Sequence, residues 1–167
     1  MDIDRLRHAA ANGNTDAMWA LANAYEFGMA APKDPDEALR WLRLGAAAGS
    51  TQCQRDLGER VDPSSGNCIG AGHASEAEHW YQVAIGAGNM EAAYPLGRML
   101  AKLGREAEAR TWLHVAAERG EAVAMRRLGD LCEAAGELVD ARGWYQQAAL
   151  LGDDLAKKAL RKGKFRA

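Results

Sequence analysis

The sequence predicts an all-α fold, a right-handed α-solenoid of antiparallel helix pairs. Three observations carry this. A tryptophan register recurs at Trp41, Trp80, Trp112 and Trp144, each with an alanine three residues before it (Ala38, Ala77, Ala109, Ala141). A glycine follows each tryptophan by eight residues (Gly49, Gly88, Gly120, Gly152), and a leucine follows each glycine by eight (Leu57, Leu96, Leu128, Leu160). Alanine is abundant and β-branched residues are scarce, a composition that favours helix over strand. Self-similarity at this period marks stacked repeats rather than one central core.

Each repeat reads as two helices, helix A after the glycine and helix B before the next. The repeats fall at about 13–48, 49–87, 88–119 and 120–151, with half-repeat helices at both ends, all within a single domain of residues 1–167. A weaker first copy runs Leu6, Gly13, Leu21. In the first full helix B, Ala38, Trp41, Leu42, Gly45, Ala46 and Gly49 share one helical face. In the first helix A, Ala17, Leu21, Tyr25 and Gly28 form the matching stripe. Small residues recur four after each glycine (Ala17, Cys53, Ala92, Ala124, Ala156), as close helix packing requires.

The expected helices, in order, are 2–12, 14–28, 35–48, 50–60, 75–87, 89–103, 105–119, 121–135, 137–151 and 153–162. Asp34 caps the third, with Pro35 at its first position and Glu37 three after the cap. Ser75-Glu76-Ala77-Glu78 reads as a second capping box. The glycines at 49, 88, 120 and 152 end the B helices, where a left-handed residue is needed. Pro95 falls inside the sixth helix and predicts a kink costing roughly 3 kcal/mol unless compensated. Residues 61–74, rich in Pro, Ser, Gly and Asn, read as a mobile loop insertion with little to bury.

These residues resemble Sel1-like repeats, relatives of tetratricopeptide repeats, whose unit reads approximately A-x3-L-G-x2-Y-x2-G-x-G, a loop, then D-x2-K-A-x2-W-Y-x2-A-A-x2-G. The first unit supplies Ala17, Leu21, Ala22, Tyr25, Gly28, Asp34, Glu37-Ala38, Trp41-Leu42, Ala46 and Gly49. Later units supply Leu96-Gly97 with Ala109 and Trp112, then Leu128-Gly129 with Ala141 and Trp144-Tyr145. Units three and four lack the G-x-G loop, and Cys53, Cys68 and Cys132 do not match the one disulfide per repeat of secreted members. The resemblance implies a non-enzymatic adaptor of the kind found in bacterial signalling and secretion machinery, binding a peptide or protein segment in a concave groove lined by the A helices.

On that basis the groove candidates are Trp19, Asn23, Arg55, Tyr94, Arg98, Arg126, Asp130 and Lys158. Asp16, Trp19, Asn23 and Glu26 lie opposite the packing stripe, and one column through the repeats reads Trp19, Arg55, Tyr94, Arg126, Lys158. Aromatic anchors and cations suit a protein ligand, here an acidic one. A plainer reading packs Trp19 under the N-terminal helix, makes the cations solvated helix surface and lets Glu26, Glu59, Asp130 and Glu133 neutralise them.

The remaining chemistry is thin. The net charge is formally −2, so no global basic field attracts nucleic acid. No run approaches the roughly 18 apolar residues of a membrane span, and no signal-peptide core follows Met1. An odd number of cysteines without framework spacing points to a reducing, cytoplasmic setting. Walker, H-E-x-x-H, G-x-S-x-G and S-x-x-K motifs are absent, and no catalytic residue or cofactor is expected. His8 and His114 have no ligand partner in sequence. Cys68, His73 and His79 around the insertion are the best metal set, and the alternative function is a metal-dependent or hydrolytic enzyme using that loop. The terminal Lys157, Lys158, Arg161, Lys162, Lys164 and Arg166 complement a helix C-terminus and cap the last repeat.

Overall fold

The computed structural model describes residues 2–69, 72–162 and 165. The described residues form ten α-helices and no strand. They fall into two compact units, Met1–Ala92 and Ala93–Ala167.

The first unit contains α1 (Ile3–Ala11), α2 (Thr15–Phe27), α3 (Pro35–Ala47), α4 (Thr51–Val61) and α5 (Ala74–Gly86), then a 3-10 turn at Met90–Ala92. Each helix packs on its neighbour in sequence. The second unit contains α6 (Ala93–Lys102), α7 (Glu106–Glu118), α8 (Ala122–Ala134), α9 (Leu138–Leu150) and α10 (Asp154–Leu160), again packed in chain order.

Turn chemistry explains where the helices start and stop. Gly13, Gly49, Gly88, Gly120 and Gly152 all take φ between +84° and +96°, a conformation that a side chain would strain. A capping residue follows directly in several cases. Asn14 accepts from the Ala17 N–H at 2.8 Å, and Asp153 accepts from the Ala156 N–H at 2.8 Å. Asp34 caps α3 as expected, accepting from the Asp36 and Glu37 amides with Pro35 behind it.

The core column is the residue after each tryptophan. Leu42, Tyr81, Leu113 and Tyr145 are between 0 and 3% exposed, whereas Trp41, Trp80, Trp112 and Trp144 are only half-buried. What seats that column is glycine on the paired A helix. A Cβ on Gly58 would stand 2.7 Å from the Tyr81 ring, one on Gly97 2.8 Å from Leu113 Cγ, and one on Gly129 2.7 Å from the Tyr145 ring. Each fully buried side chain of this size contributes about 1.5–3 kcal/mol, which outweighs the ~1 kcal/mol that glycine costs inside a helix.

Three sequence expectations need correction. Pro95 does not fall in the interior of its helix. The 3-10 turn Met90–Ala92 delays the α-helix to Ala93, so Pro95 is its third residue, where no intrahelical acceptor awaits an N–H. Ser75 is not a cap: α5 begins at Ala74, with His73 at the cap and no side-chain capping bond. The His73 N–H is tied to the Val61 carbonyl at 2.7 Å, which sets the helix start one step earlier.

The insertion is the third correction. α4 runs through Val61, and the loop beyond it is pinned. Asp62 and Ser65 are buried, Asp62 accepts from the Ser64 N–H at 2.7 Å, and the Ile69 N–H bonds the Arg60 carbonyl at 2.7 Å. Polar atoms rather than apolar ones do this anchoring, which is why composition alone read the segment as loose. Gly70 and Ala71 of this insertion lie outside the described residues.

Opposite signs are expected for two glycine-to-alanine changes in the second unit. Gly129→Ala forces Tyr145 to move and should destabilise by roughly 1–3 kcal/mol. Gly143→Ala in α9, where a Cβ meets nothing within 4 Å, should stabilise by up to about 1 kcal/mol. Urea denaturation of both variants measures this, and equal shifts would show that the glycine does not set the helix spacing.

Candidate protein-binding surface

The A-helix residues outside the packing stripes are the candidate surface, and most of them hold one another. In the first unit, the half-buried Trp19 on α2 donates its indole N–H to Asp56 Oδ2 on α4 at 2.7 Å. Asp56 also accepts from Arg55 Nε at 2.9 Å, and the Arg55 guanidinium reaches on to the Glu91 carboxylate. Asn23 turns back to the Trp19 carbonyl at 3.0 Å. Glu26 receives Arg60 Nε at 3.0 Å and Nη2 at 2.8 Å, an ion pair with side chains only 19% and 10% exposed.

In the second unit, Arg126 on α8 meets Asp153 at the α10 cap at 3.0 Å and Asp130 at 3.6 Å. Asp130 also takes Arg127 at 3.4 Å. The Tyr145 hydroxyl lies 2.9 Å from Asp130 and 3.0 Å from Glu133. Burial first, then these two carboxylates, push the Tyr145 hydroxyl well above the usual tyrosine range, so it keeps its proton and donates. One proton serves one carboxylate at a time, and nearby cations balance both: Arg126 and Arg127 at Asp130, Lys162 at 3.8 Å from Glu133. Tyr94 and Arg98 are half-buried on α6, and Lys158 is exposed on α10.

The cation column is therefore drawn into ion pairs at Arg55 and Arg126, and the indole of Trp19 braces α2 against α4. The signal for this was present in the sequence: the acidic residues on the same faces, Glu26, Asp56, Glu91, Asp130 and Asp153, sit in register to meet the cations. Of the terminal basic run, Lys157 pairs with Asp154 at 2.9 Å, while Lys164 and Arg166 lie outside the described residues.

The insertion offers little chemistry. Among the described residues no group of three or more His, Cys, Asp and Glu side chains is placed to hold a metal ion. His79 sets its ring edge-on to Trp80 at 5.1 Å, and His114 does the same to Trp144 at 4.9 Å. Burial raises the Cys53, Cys68 and Cys132 thiols above the ordinary range, the reverse of an activated thiolate. None of the described helices is long and apolar enough to cross a membrane.

The brace predicts a stability effect. Trp19→Phe keeps the ring and removes the N–H, leaving Asp56 to Arg55 alone, and should cost about 1 kcal/mol. Glu26→Ala removes both hydrogen bonds to the buried Arg60 and leaves it only Glu59 at 3.8 Å, and should cost about 1.5–3 kcal/mol. Denaturant midpoints check both, and a smaller loss for Glu26→Ala than for Trp19→Phe would contradict this ordering.

A Sel1 repeat model matches residues 15–50, 91–121 and 122–153, more than half of the chain. Among solved structures, the chain is similar to c5321, a protective antigen present in uropathogenic Escherichia coli strains displaying an SLR fold. The identity is 27% and the TM-score 0.81, over 96% of this chain and 35% of that one. It is also similar to a Sel1 repeat protein from Oxalobacter formigenes, at 24% identity and TM-score 0.77, over 95% of this chain and 65% of that one. MamA shares the fold at 19% identity and TM-score 0.67, over 93% of this chain and 89% of its own. The chain thus spans about a third of the first of these proteins and just under two thirds of the second. No curated protein matches the sequence. By its repeats and its helical architecture, the chain belongs to the Sel1 repeat family.

Proposed function

We propose that this chain is a non-enzymatic protein-interaction module, an adaptor acting in the cytoplasm that binds a segment of a partner protein on the faces of its A helices. Sel1 repeats are a protein-interaction fold, and that membership supports the class of function. The observation that carries the surface assignment is a contrast within the repeats. Positions that pack recur from repeat to repeat, while the A-face column Trp19, Arg55, Tyr94, Arg126, Lys158 varies between aromatic and basic residues and stays out of the buried core. Variation on a constant frame is how repeat proteins acquire specificity.

The internal ion pairs narrow the reading. Arg55 and Arg126 already face carboxylates, so a ligand gains less from them than from an unpaired cation. Tyr94 offers a semi-rigid ring with low ordering cost, and Lys158 an exposed charge. Trp19 contributes the part of its ring that the brace to Asp56 leaves exposed.

A partner captured from the source cells and then purified provides the test. Tyr94→Ala should weaken its binding by roughly 2 kcal/mol if the ring is an anchor. Lys158→Glu should reduce association and its salt dependence. Gln82→Ala and Arg142→Ala, exposed on B helices α5 and α9, should leave affinity unchanged. Loss of binding on the B-helix variants with retention on the A-helix variants overturns the assignment.

A further inference from the structure

A cavity of about 180 Å³ opens in the second unit between α6, α7 and α8. Ala101, Leu113 and Leu131 form its walls, and Arg98, Lys102, Arg127 and Asp130 stand around it. Its origin is visible in the repeat register. Counting from the leucine eight after each glycine, Ala101 occupies the place of Glu26, and Leu131 occupies the place of Arg60. In the first unit those two places hold an ion pair at 2.8 Å that bridges α2 and α4. In the second unit, alanine and leucine leave the matching place open and apolar.

The surrounding charge changes in the same comparison. Where the second unit carries Arg98, Arg127 and Asp130, the first carries Asn23, Asp56 and Glu59. The cavity is thus lined by three cations and one carboxylate, and Arg127 shares that carboxylate at 3.4 Å with Arg126 and Tyr145. The volume suits one large side chain, since an apolar cavity of roughly 150 Å³ accepts a benzene-sized group.

We propose that this cavity receives a single leucine- or phenylalanine-sized side chain from the partner segment, with carboxylates flanking it in that segment and meeting Arg98, Lys102 and Arg127. The inference rests on the protein-interaction reading and names the chemistry of the ligand at one place on that surface. Apolar burial supplies the affinity, and flanking carboxylates join cations that already hold partners within the chain, Arg127 with Asp130 at 3.4 Å, so the charges add selectivity for acidic over basic neighbours rather than strength.

The test uses 3-phenylpropionate, 3-phenylpropanamide and 3-phenylpropylamine as probes, with the full chain labelled for amide NMR. The carboxylate should give saturable shifts at the Ala101, Leu113 and Leu131 amides, with the amine at least roughly tenfold weaker. Arg127→Gln should bring the carboxylate and the neutral amide closer together. Ala101→Glu combined with Leu131→Arg transplants the pair that occupies the matching place in the first unit, and should abolish the shifts while circular dichroism stays helical. If that double variant fails to fold, Ala101→Leu fills the same space with one change. No saturable shift, an amine that binds as well as the carboxylate, or undiminished binding to the filled cavity overturns the proposal. The captured partner is measured on the same variants. If the filled cavity loses phenylpropionate yet binds the partner undiminished, side-chain docking is wrong and the interaction reading survives. If the partner ignores Tyr94→Ala and Lys158→Glu while the cavity binds its probe, the A-face reading fails and the cavity's chemistry stands.

Discussion

The distance between helix A and helix B in each pair is set by a residue that has no side chain. Gly58 under Tyr81, Gly97 under Leu113 and Gly129 under Tyr145 let a large group lie directly on a helix backbone. The first pair differs in carrying Ala22 at the equivalent place beside Leu42, and both are buried. Within each unit, a second spacing joins a B helix to the element that follows it through small residues. Gly45 faces Cys53, and the equivalent places are held by buried Ala84, Ala92, Ala116, Ala124, Ala148 and Ala156. With both spacings fixed by atoms that are missing, there is little slack for rotation or sliding, and the outward residues are left to vary.

Much of the frame was legible in sequence because helix punctuation and helix packing are local. Glycine at φ near +90° has a strong sequence mark, and so does a cap such as Asp34 behind Pro35. The errors arose where a distant backbone group decided the outcome. The Val61 carbonyl chose His73 over Ser75 as the start of α5, and a 3-10 turn moved the helix origin so that Pro95 became harmless. The periodic tryptophans mark the buried face to within one residue: the neighbouring residue takes the fully buried position while the indole lies half outside. Periodicity identifies a face, and its resolution is about one residue.

The candidate surface was legible as a set of positions but not as a set of charges. A column of cations reads as an anion site only until the carboxylates in adjacent repeats are placed in space. Arg60 with Glu26 and Arg126 with Asp153 each join consecutive A helices, so one charge change alters both the surface and the stack. Buried pairs of this kind return little net stability against a well-packed apolar substitute, though removing one member is costly. Their value lies in specificity, since each pair rewards only the helix register that brings its partners within about 3 Å.

The comparison of Glu26–Arg60 with Ala101 and Leu131 shows how the outward residues of such a stack vary without changing its frame. Replacing a closed ion pair by a smaller apolar pair removes two desolvated charges, so the frame has little electrostatic reason to resist. The lost volume is not recovered, because the helix spacing is held elsewhere, by Gly97 on Leu113 and Gly129 on Tyr145. A void that cannot collapse forgoes packing energy, and that energy is returned when another molecule fills it. In this chain the close glycine contacts hold the helices beside Leu113 at a spacing that leaves the cavity open, so the constraint that organises the core also shapes the surface above it.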